Sequence, residues 1–310
     1  MSLKIEALRS NLLAGDRLAL ARAITLVEST RPDDQTLAGE LLRSLSNDHQ
    51  AMRIAISGPP GVGKSTFIDA FGELLLDAGN RVAVLAIDPS GQDAGGSILG
   101  DKTRMTFVGN NPQAFIRPSP SSGVLGGVAN ATYEVSLLCE AAGYNYILIE
   151  TVGVGQSETV AFYLSDLFLV LLQPAAGDDL QGIKKGITER ADLLVVNKWD
   201  GVLSAKAEQT RAAFQGIWGK EREVLLCSAL EKRGLKAVLD SVNVASKHID
   251  FASNRKKREV FWFKESCKRQ LVDRIFTDFS DLFNDLSQAI SHDQMHYTSA
   301  VDKVIHKIFG

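Results

Sequence analysis

The sequence predicts an α/β fold with a mostly parallel central sheet flanked by helices, and with a helical extension at each end of the chain. Three observations predict it. Uniformly apolar strand-type runs alternate with stretches of helical spacing, a glycine-rich loop joins the first such strand to a helix, and each chemical motif follows a strand end. Strands that are apolar throughout are typical of parallel sheets with both faces covered. Ligands of such sheets bind beyond the carboxyl ends of the strands.

Hydrophobic spacing gives the order of the elements. Helical patterns fill most of residues 3–46, and the run at 31–34 separates two predicted helices there. A long apolar stripe from Val260 to Ile290 predicts a helical arm that folds back or packs against another chain. We interpret the basic run at 254–258 as a solvated helix start rather than a nucleic-acid patch. Between the helical ends lie six predicted strands, at 53–57, 81–88, 146–150, 167–172, 193–197 and 223–227.

These patterns divide the chain into three predicted parts. Residues 1–48 form an N-terminal helical extension, residues 49–245 the α/β domain, and residues 246–310 a C-terminal helical arm. The boundaries follow the points at which strand-type runs begin and cease.

Composition excludes several classes of protein. The chain has 310 residues, of which 45% are hydrophobic and 23% are charged, and its formal net charge is -3. This charge gives no electrostatic reason to expect nucleic acid or a membrane surface as a partner. No apolar run reaches membrane-spanning length, and the first residues lack a signal-peptide pattern. The three cysteines lie far apart, which indicates a reducing compartment, and we expect a cytoplasmic protein.

A glycine-rich loop carries the most specific motif. Residues 58–65 match the pattern G-x-x-x-x-G-K-[ST] between a strand and a helix, a context that aims backbone N–H groups at phosphates. Lys64 is expected to bridge the β- and γ-phosphates as a catalytic residue, and the Ser65 hydroxyl to ligate Mg²⁺. The motif favours a nucleotide hydrolase or switch. The predicted nucleotide contacts of the loop are Gly58, Pro60, Gly61, Val62, Gly63, Lys64, Ser65 and Thr66.

A second motif favours guanine as the base. Residues 197–200 match N-K-x-D, in which the Asp200 carboxylate can accept from both the ring N–H and the exocyclic amine of guanine. Adenine offers neither donor on that edge and would leave the buried carboxylate without partners. The run at 228–230 follows another strand and resembles an element whose backbone contacts the base oxygen. The predicted base contacts are Asn197, Lys198, Asp200, Ser228, Ala229 and Leu230.

Acidic residues near strand ends predict a Mg²⁺ site. Glu150 begins Glu-Thr-Val-Gly, at the place where most GTPases have Asp-x-x-Gly, and the N–H of Gly153 is expected to approach the γ-phosphate. Asp88 ends the second strand, and Asp101 lies on a glycine-flanked loop. Carboxylate oxygens suit Mg²⁺, although turn capping is an alternative for Asp88 and Asp101.

Two glycine-containing segments, 95–104 and 153–158, have the composition of switch loops that a γ-phosphate can order. Gln156 could orient the attacking water, and Arg104 or Lys102 could stabilise charge in the transition state. Ordinary surface residues of loops are the alternative interpretation.

In these motifs and in the strings around them, the sequence resembles the methylmalonyl-CoA-mutase-associated P-loop GTPases of the MeaB, MMAA and ArgK type, over about residues 50–200. The strings that carry the resemblance lie at 60–66, 88–90, 95–105, 115–123, 150–158 and 177–186. It implies a P-loop GTPase fold and a homodimeric G-protein chaperone that gates adenosylcobalamin loading of an acyl-CoA mutase and protects that enzyme. Cobalamin is then reached only through the partner, and the bound groups of the chain itself are Mg²⁺ and GTP or GDP.

The resemblance also implies roles for individual residues. The magnesium-linked set is Ser65, Asp88, Asp101 and Glu150, and the C-terminal arm serves dimerisation. Trp199 departs from the small residue expected in the guanine motif, and residues 90–94 differ from the usual run. The client that the resemblance implies is methylmalonyl-CoA mutase, and the departure at 90–94 leaves open a relative such as an isobutyryl- or hydroxyisobutyryl-CoA mutase. A partner-sensing switch is implied at Asp178, Asp179, Gln181, Lys184 and Lys185.

Two other functions use the same loop. A metallochaperone GTPase for nickel or cobalt requires clustered histidine or cysteine ligands, and the sequence scatters them, with only His292 and His296 close enough to share a helix face. A small-molecule kinase would leave the N-K-x-D motif unexplained.

Overall fold

The computed structural model of the chain describes residues 3–45, 50–87, 105–117, 125–151, 156–174, 189–219 and 222–310, with backbone alone at 3, 125–130, 156–159 and 309. Its centre is a seven-stranded sheet in the order β3-β2-β4-β1-β5-β6-β7, and every strand pairing is parallel. The strands are β1 Met52–Ser57, β2 Val82–Ile87, β3 Ala114–Arg117, β4 Tyr146–Thr151, β5 Leu167–Leu172, β6 Leu193–Val196 and β7 Val224–Leu226.

Helices precede, follow and separate the strands. Three lie before β1, and three more follow the last helix that packs on the sheet. In chain order they are α1 Leu3–Leu13, α2 Arg17–Glu28, α3 Pro32–Ser44, α4 Lys64–Asp77, α5 Thr106–Asn110, α6 Leu125–Ala141, α7 Gln156–Leu164, α8 Ser204–Trp218, α9 Leu235–Ser246, α10 Phe251–Asp278, α11 Ser280–Ser291 and α12 Tyr297–Phe309.

The central strand β1 fixes the position of the glycine-rich loop. It pairs with β4 on one side and β5 on the other, so that Ile54 lies opposite Leu148 and Leu167. All six residues of β1 are buried, as expected for the middle of a sheet covered on both faces. Because all strands run in the same direction, the loop after β1 lies between the carboxyl ends of its neighbours.

The core consists of apolar side chains from the sheet and from the helices on it. In α4, Phe67 and Phe71 are fully buried and stack with ring centroids 5.4 Å apart. The spacing of four residues places both rings on the same face of the helix. Burial of this face holds the first turn of α4 at the end of β1.

The predicted fold class is confirmed, and the structure adds two elements that the sequence analysis missed. The first predicted N-terminal helix is two helices, because the Asp16 carboxylate caps α2 by accepting from the N–H of Leu18 at 2.6 Å and of Ala19 at 3.2 Å. Strand β3 was not predicted. Only Ala114 of its four residues is buried, so this edge strand lacks the apolar run of its neighbours.

The basic run at the start of α10 is not simply a solvated helix start. Arg258 is buried, donates from Nη1 to the carbonyl of Ser165 at 2.6 Å and pairs with Asp166. Arg255 pairs with Glu140, whose side chain is 6% exposed. The sequence interpretation was therefore wrong for these two arginines, since burial of such residues depends on partners distant in the chain.

The chain forms two compact units, Met1–Arg258 and Glu259–Gly310. In the second unit Trp262 and Leu286 are buried, while Val260, Phe263 and Leu271 of the predicted apolar stripe are exposed. None of the helices in the described ranges is long and apolar enough to cross a membrane.

Candidate functional site

The glycine-rich loop follows β1 and ends in the first turn of α4. Gly61 and Gly63 have φ values of 75° and 92°, which side-chain-bearing residues rarely adopt. A Cβ atom on Gly63 would also lie 2.9 Å from Nδ2 of Asn197. Among the described residues no side chain caps the first turn of α4, so the N–H groups of this turn point toward the loop as donors for an anion.

The side chain of Lys64 folds back onto the glycine-rich loop. Its ammonium donates to the carbonyl of Gly58 at 2.9 Å and to that of Pro59 at 3.3 Å. These bonds hold the positive charge beside the first turn of α4. Charge and dipole therefore favour an anion at the same place.

Two of the four predicted metal ligands lie in contact. Ser65, in the first turn of α4, donates its hydroxyl to Oε1 of Glu150 in β4 at 3.1 Å. Glu150 is buried and β4 is hydrogen-bonded directly beside β1. Pairing of the two strands therefore brings a hydroxyl and a carboxylate, both oxygen donors suited to Mg²⁺, to one point.

Asn197 joins the phosphate loop to the loop after β7. The side chain is buried, and Nδ2 donates to the carbonyl of Val62 at 2.9 Å. Oδ1 accepts from the N–H of Ala229 at 3.0 Å and from the thiol of Cys227 at 3.4 Å. The amide therefore uses its donor and its acceptor to connect the segments that follow β1, β6 and β7.

Asp200 and Ser228 also meet, although 28 residues separate them. The Ser228 hydroxyl donates to Oδ2 of Asp200 at 2.5 Å and accepts from the N–H of Glu231 at 3.0 Å. Ser228 is fully buried, whereas Asp200 is half-buried. One carboxylate oxygen is therefore fixed by the protein, and the group remains accessible to a ligand.

The remaining predicted base contacts are partly accessible. Lys198 has φ 59° and donates from Nζ to the carbonyl of Gly61 at 2.6 Å, which draws its stem across toward the phosphate loop. Ala229 is buried, and the side chain of Leu230 is 77% exposed. Pro60 and Thr66 are exposed at the loop and at the first turn of α4.

Trp199 makes contacts that the sequence did not predict. The Arg233 guanidinium lies over its ring, 4.0 Å from the centroid, and donates to its carbonyl oxygen. Trp199 Nε1 also donates to Glu208 at 3.3 Å. Arg233 was not predicted, because no motif contains it and it lies 34 residues from Trp199.

Several predicted residues lie outside the described part of the chain, and their roles stay predictions. Gln156 is the first residue of α7, and only its backbone is described. The residues outside the described ranges are Asp88, Asp101, Arg104, Gly153, Asp178, Asp179, Gln181, Lys184 and Lys185.

The nearby thiol and the histidines offer no metal cluster in the described residues. Burial, together with the negative charge of Asp200, raises the pKa of Cys227 to about 12, so this thiol stays protonated. His292 directly follows α11 as its C-cap, whereas His296 precedes α12 and contacts Thr298 Oγ1 at 2.8 Å. The two histidines therefore do not share one helix face, and both side chains are exposed. Across the described ranges no group of three or more possible ligands is placed to hold a metal ion.

Comparison with known families adds the deciding observation. The family described as Methylmalonyl Co-A mutase-associated GTPase MeaB matches residues 20–280. The chain belongs to this family. A protein of Caulobacter vibrioides named as a putative GTPase is 46% identical to this MeaB-family chain, over 98% of both. The mitochondrial methylmalonic aciduria type A homolog of Mus musculus is 50% identical, over 88% of the chain and 71% of that protein.

A solved structure supports the same assignment. The crystal structure of an LAO/AO transport system kinase matches 100% of this chain and 99% of its own, with 32% identity and a TM-score of 0.73. Family and relatives confirm that this MeaB-family protein is a GTPase with a P-loop GTPase fold. The resemblance stated from the motifs alone is confirmed over most of the chain.

Proposed function

We propose that this GTPase is a G-protein chaperone that gates adenosylcobalamin loading of an acyl-CoA mutase and protects the mutase from inactivation. Methylmalonyl-CoA mutase or a close relative is the proposed client, and the names of the family and of the mouse relative support that class. The observation that supports a nucleotide-dependent switch is the hydrogen bond between Ser65 and Glu150. It connects the phosphate loop to the strand that leads toward the γ-phosphate segment.

In this proposal GTP or GDP binds along the carboxyl edge of the sheet. The phosphates lie on the loop from Gly58 to Thr66, where the Lys64 ammonium exchanges its carbonyl partners for β- and γ-phosphate oxygens. The guanine donates to the carboxylate of Asp200. This carboxylate also accepts a hydrogen bond from the Ser228 hydroxyl, which keeps it oriented. Asn197 holds the phosphate and base halves at a fixed distance.

The residues present fit Mg²⁺. Ser65 and Glu150 offer hard oxygen ligands 3.1 Å apart, and Asp88 and Asp101 complete the proposed set. Bound Mg²⁺ would neutralise charge on the β- and γ-phosphates. Gln156 and Arg104 are the proposed positioning groups for water and transition-state charge.

The proposed partners are the mutase and a second copy of the chain. A segment with Asp178, Asp179, Gln181, Lys184 and Lys185 would sense the mutase, and cobalamin would be met only in that complex. Exposed apolar side chains on α10, among them Phe263, Leu271 and Phe276, support a homodimer that covers them. All three cysteines are free, which supports a cytoplasmic location.

Two measurements on the purified chain test the proposal. The first is phosphate release from GTP with Mg²⁺ and no added acceptor, with Lys64→Ala as the inactive control. The second is retention of candidate apo-mutases under GTP and under GDP, followed by spectroscopic measurement of cofactor loading. We expect slow stoichiometric hydrolysis and retention that depends on the nucleotide. Nickel or cobalt binding without mutase retention would support a metallochaperone, and phosphate transfer to a small acceptor a kinase.

A further inference from the structure

Two loops form the base side of the proposed site. The NKWD turn comprises residues 197–200 after β6, and the SAL loop comprises residues 228–233 after β7. Asp200 lies in the first and Ser228 in the second, and their 2.5 Å hydrogen bond joins the loops at the position proposed for guanine. The orientation of Asp200 therefore depends on how rigidly the two loops are held together.

Arg233 closes the SAL loop through its backbone. The N–H of Ser228 donates to the carbonyl of Arg233 at 2.9 Å, and the N–H of Arg233 donates to the carbonyl of Ser228 at 3.0 Å. This reciprocal pair fixes the backbone of the serine whose hydroxyl reaches Asp200. The loop then passes through Gly234, with φ 76°, into α9.

The side chain of Arg233 reaches the NKWD turn. One guanidinium nitrogen donates to the carbonyl of Trp199, and the guanidinium carbon Cζ lies over the Trp199 ring, 4.0 Å from its centroid. Trp199 directly precedes Asp200. A planar guanidinium can stack and donate at once, which an ammonium does less well.

We propose that Arg233 is a positioning residue for guanine recognition, which locks the NKWD turn against the SAL loop and so aims the Asp200 carboxylate at the base. This inference depends on the proposed base site. Arg233 is exposed, so the contact lies outside the hydrophobic core, and its loss should leave the fold intact. The neighbouring Lys232 pairs with Glu73 of α4 at 2.6 Å instead and provides a matched control.

Bases that use the carboxylate differently give the sharpest test. Guanine can donate a ring N–H and an exocyclic amine to Asp200, whereas hypoxanthine, the base of ITP, has only the ring N–H. If Arg233 aims the carboxylate, Arg233→Ala should weaken GTP and GDP equally and ITP less. We expect about a three- to tenfold loss of guanine nucleotide affinity, the size of a solvent-exposed stacking contact plus one hydrogen bond.

The experiment measures dissociation constants of GTP, GDP and ITP by calorimetry for the full chain and for Arg233→Ala, Arg233→Lys and Lys232→Met. The quantity compared is the dissociation constant of ITP divided by that of GTP, called here the ITP-to-GTP ratio. We expect this ratio to fall for Arg233→Ala, to recover partly for Arg233→Lys, and to stay unchanged for Lys232→Met. The thermal midpoint of unfolding should be unchanged in all three variants. An unchanged ratio for Arg233→Ala, or an equal fall for Lys232→Met, would overturn the inference.

A parallel variant separates this inference from the base site itself. If Asp200→Asn shifts preference from GTP to XTP while Arg233→Ala keeps the ITP-to-GTP ratio, only the role of Arg233 is refuted. If Asp200→Asn shifts nothing, the base site fails, and the role of Arg233 fails with it. Combining Arg233→Ala with Trp199→Leu should cost less than the sum of the two single changes, since both remove the same stacking contact.

Discussion

The hydroxyl of Ser65 donates a 3.1 Å hydrogen bond to Oε1 of Glu150, 85 residues further along the chain. The bond links the first turn of α4 to β4 and places a carboxylate beside the phosphate loop. Glutamate is longer than the aspartate that most GTPases have at this position, and its reach brings the carboxylate to the serine directly. The pair therefore offers two oxygen ligands before any nucleotide binds.

Glu150→Gln tests this pair as part of a Mg²⁺ site. The amide keeps the size of the side chain and an acceptor for Ser65 but removes the charge. We expect the Mg²⁺ concentration for half-maximal GTP hydrolysis to rise about tenfold or more, the effect of losing one partly screened charge interaction. Phosphate release measured against Mg²⁺ concentration reports it. Glu150→Asp serves as the control that keeps the charge, and equal Mg²⁺ requirements in the glutamine variant would contradict the site.

Asp200→Asn tests the base preference. The asparagine replaces one acceptor by a donor, so guanine meets a mismatched amide while xanthine, which has a carbonyl in place of the exocyclic amine, matches it. We expect GTP affinity to fall about tenfold or more, because the mismatch leaves polar groups unpaired. In the variant, XTP should bind more tightly than GTP. Competition binding with labelled GDP measures both constants. Retention of full GTP affinity would argue against guanine recognition by Asp200.

Asn197→Ala tests the link between phosphate loop and base loop. The change removes the partner of the Val62 carbonyl and of the Ala229 N–H, both at a buried site. We expect a loss of about 1–3 kcal/mol in the free energy of unfolding for each group left without its partner. Urea denaturation measures it, with Asn243→Ala on the exposed face of α9 as the control. A loss no larger than that of the control would show that the bridge is dispensable.

Glu140→Ala tests the buried ionic cluster at the amino-terminal end of β1, opposite to the end that carries the glycine-rich loop. Glu140 accepts from Arg53 at 2.8 Å and from the N–H of Ala51 at 2.6 Å, and it also pairs with Arg255. Removal leaves buried arginine without its counter-charge, which costs about 3–5 kcal/mol.

The exposed pair of Lys236 and Asp240 is the matched control for this prediction, since its side chains are 72% and 58% exposed. Asp240→Ala should cost about 0.5 kcal/mol or less. Chemical denaturation of both variants gives the comparison, and similar losses would contradict a structural role for the cluster.

The cysteines predict both a labelling pattern and a pH dependence. Burial raises the pKa of Cys139 and of Cys227 from 9.0 to about 12, whereas Cys267 is exposed. Mass spectrometry after brief alkylation at pH 8 should find one label in the native protein and three after unfolding. Because the folded pKa values lie above the unfolded value, the stability from these thiols is present below pH 9 and is lost between pH 9 and 12. Rapid native labelling of Cys227 would contradict its burial.

Much of this molecule follows from local sequence. Six of the seven strands are apolar runs bounded by turn residues, at or within one residue of their predicted limits, and the glycine pattern at 58–65 predicts a loop between strand and helix. Strand β3 was missed because an edge strand with one buried residue has no distinctive pattern. The break at Asp16 was missed because a single capping carboxylate interrupts an otherwise continuous helical spacing.

The sequence by itself determined the fold class, the identity of the phosphate loop and the order of the motifs along the chain, because each depends on neighbouring residues. Only the tertiary structure decided which distant groups meet. Ser65 with Glu150, Ser228 with Asp200 and Arg233 with Trp199 are separated by 28 to 85 residues. Their contacts depend on strand order and on parallel pairing, which bring the carboxyl ends together at one edge of the sheet. Periodicity within one segment carries no information about that order.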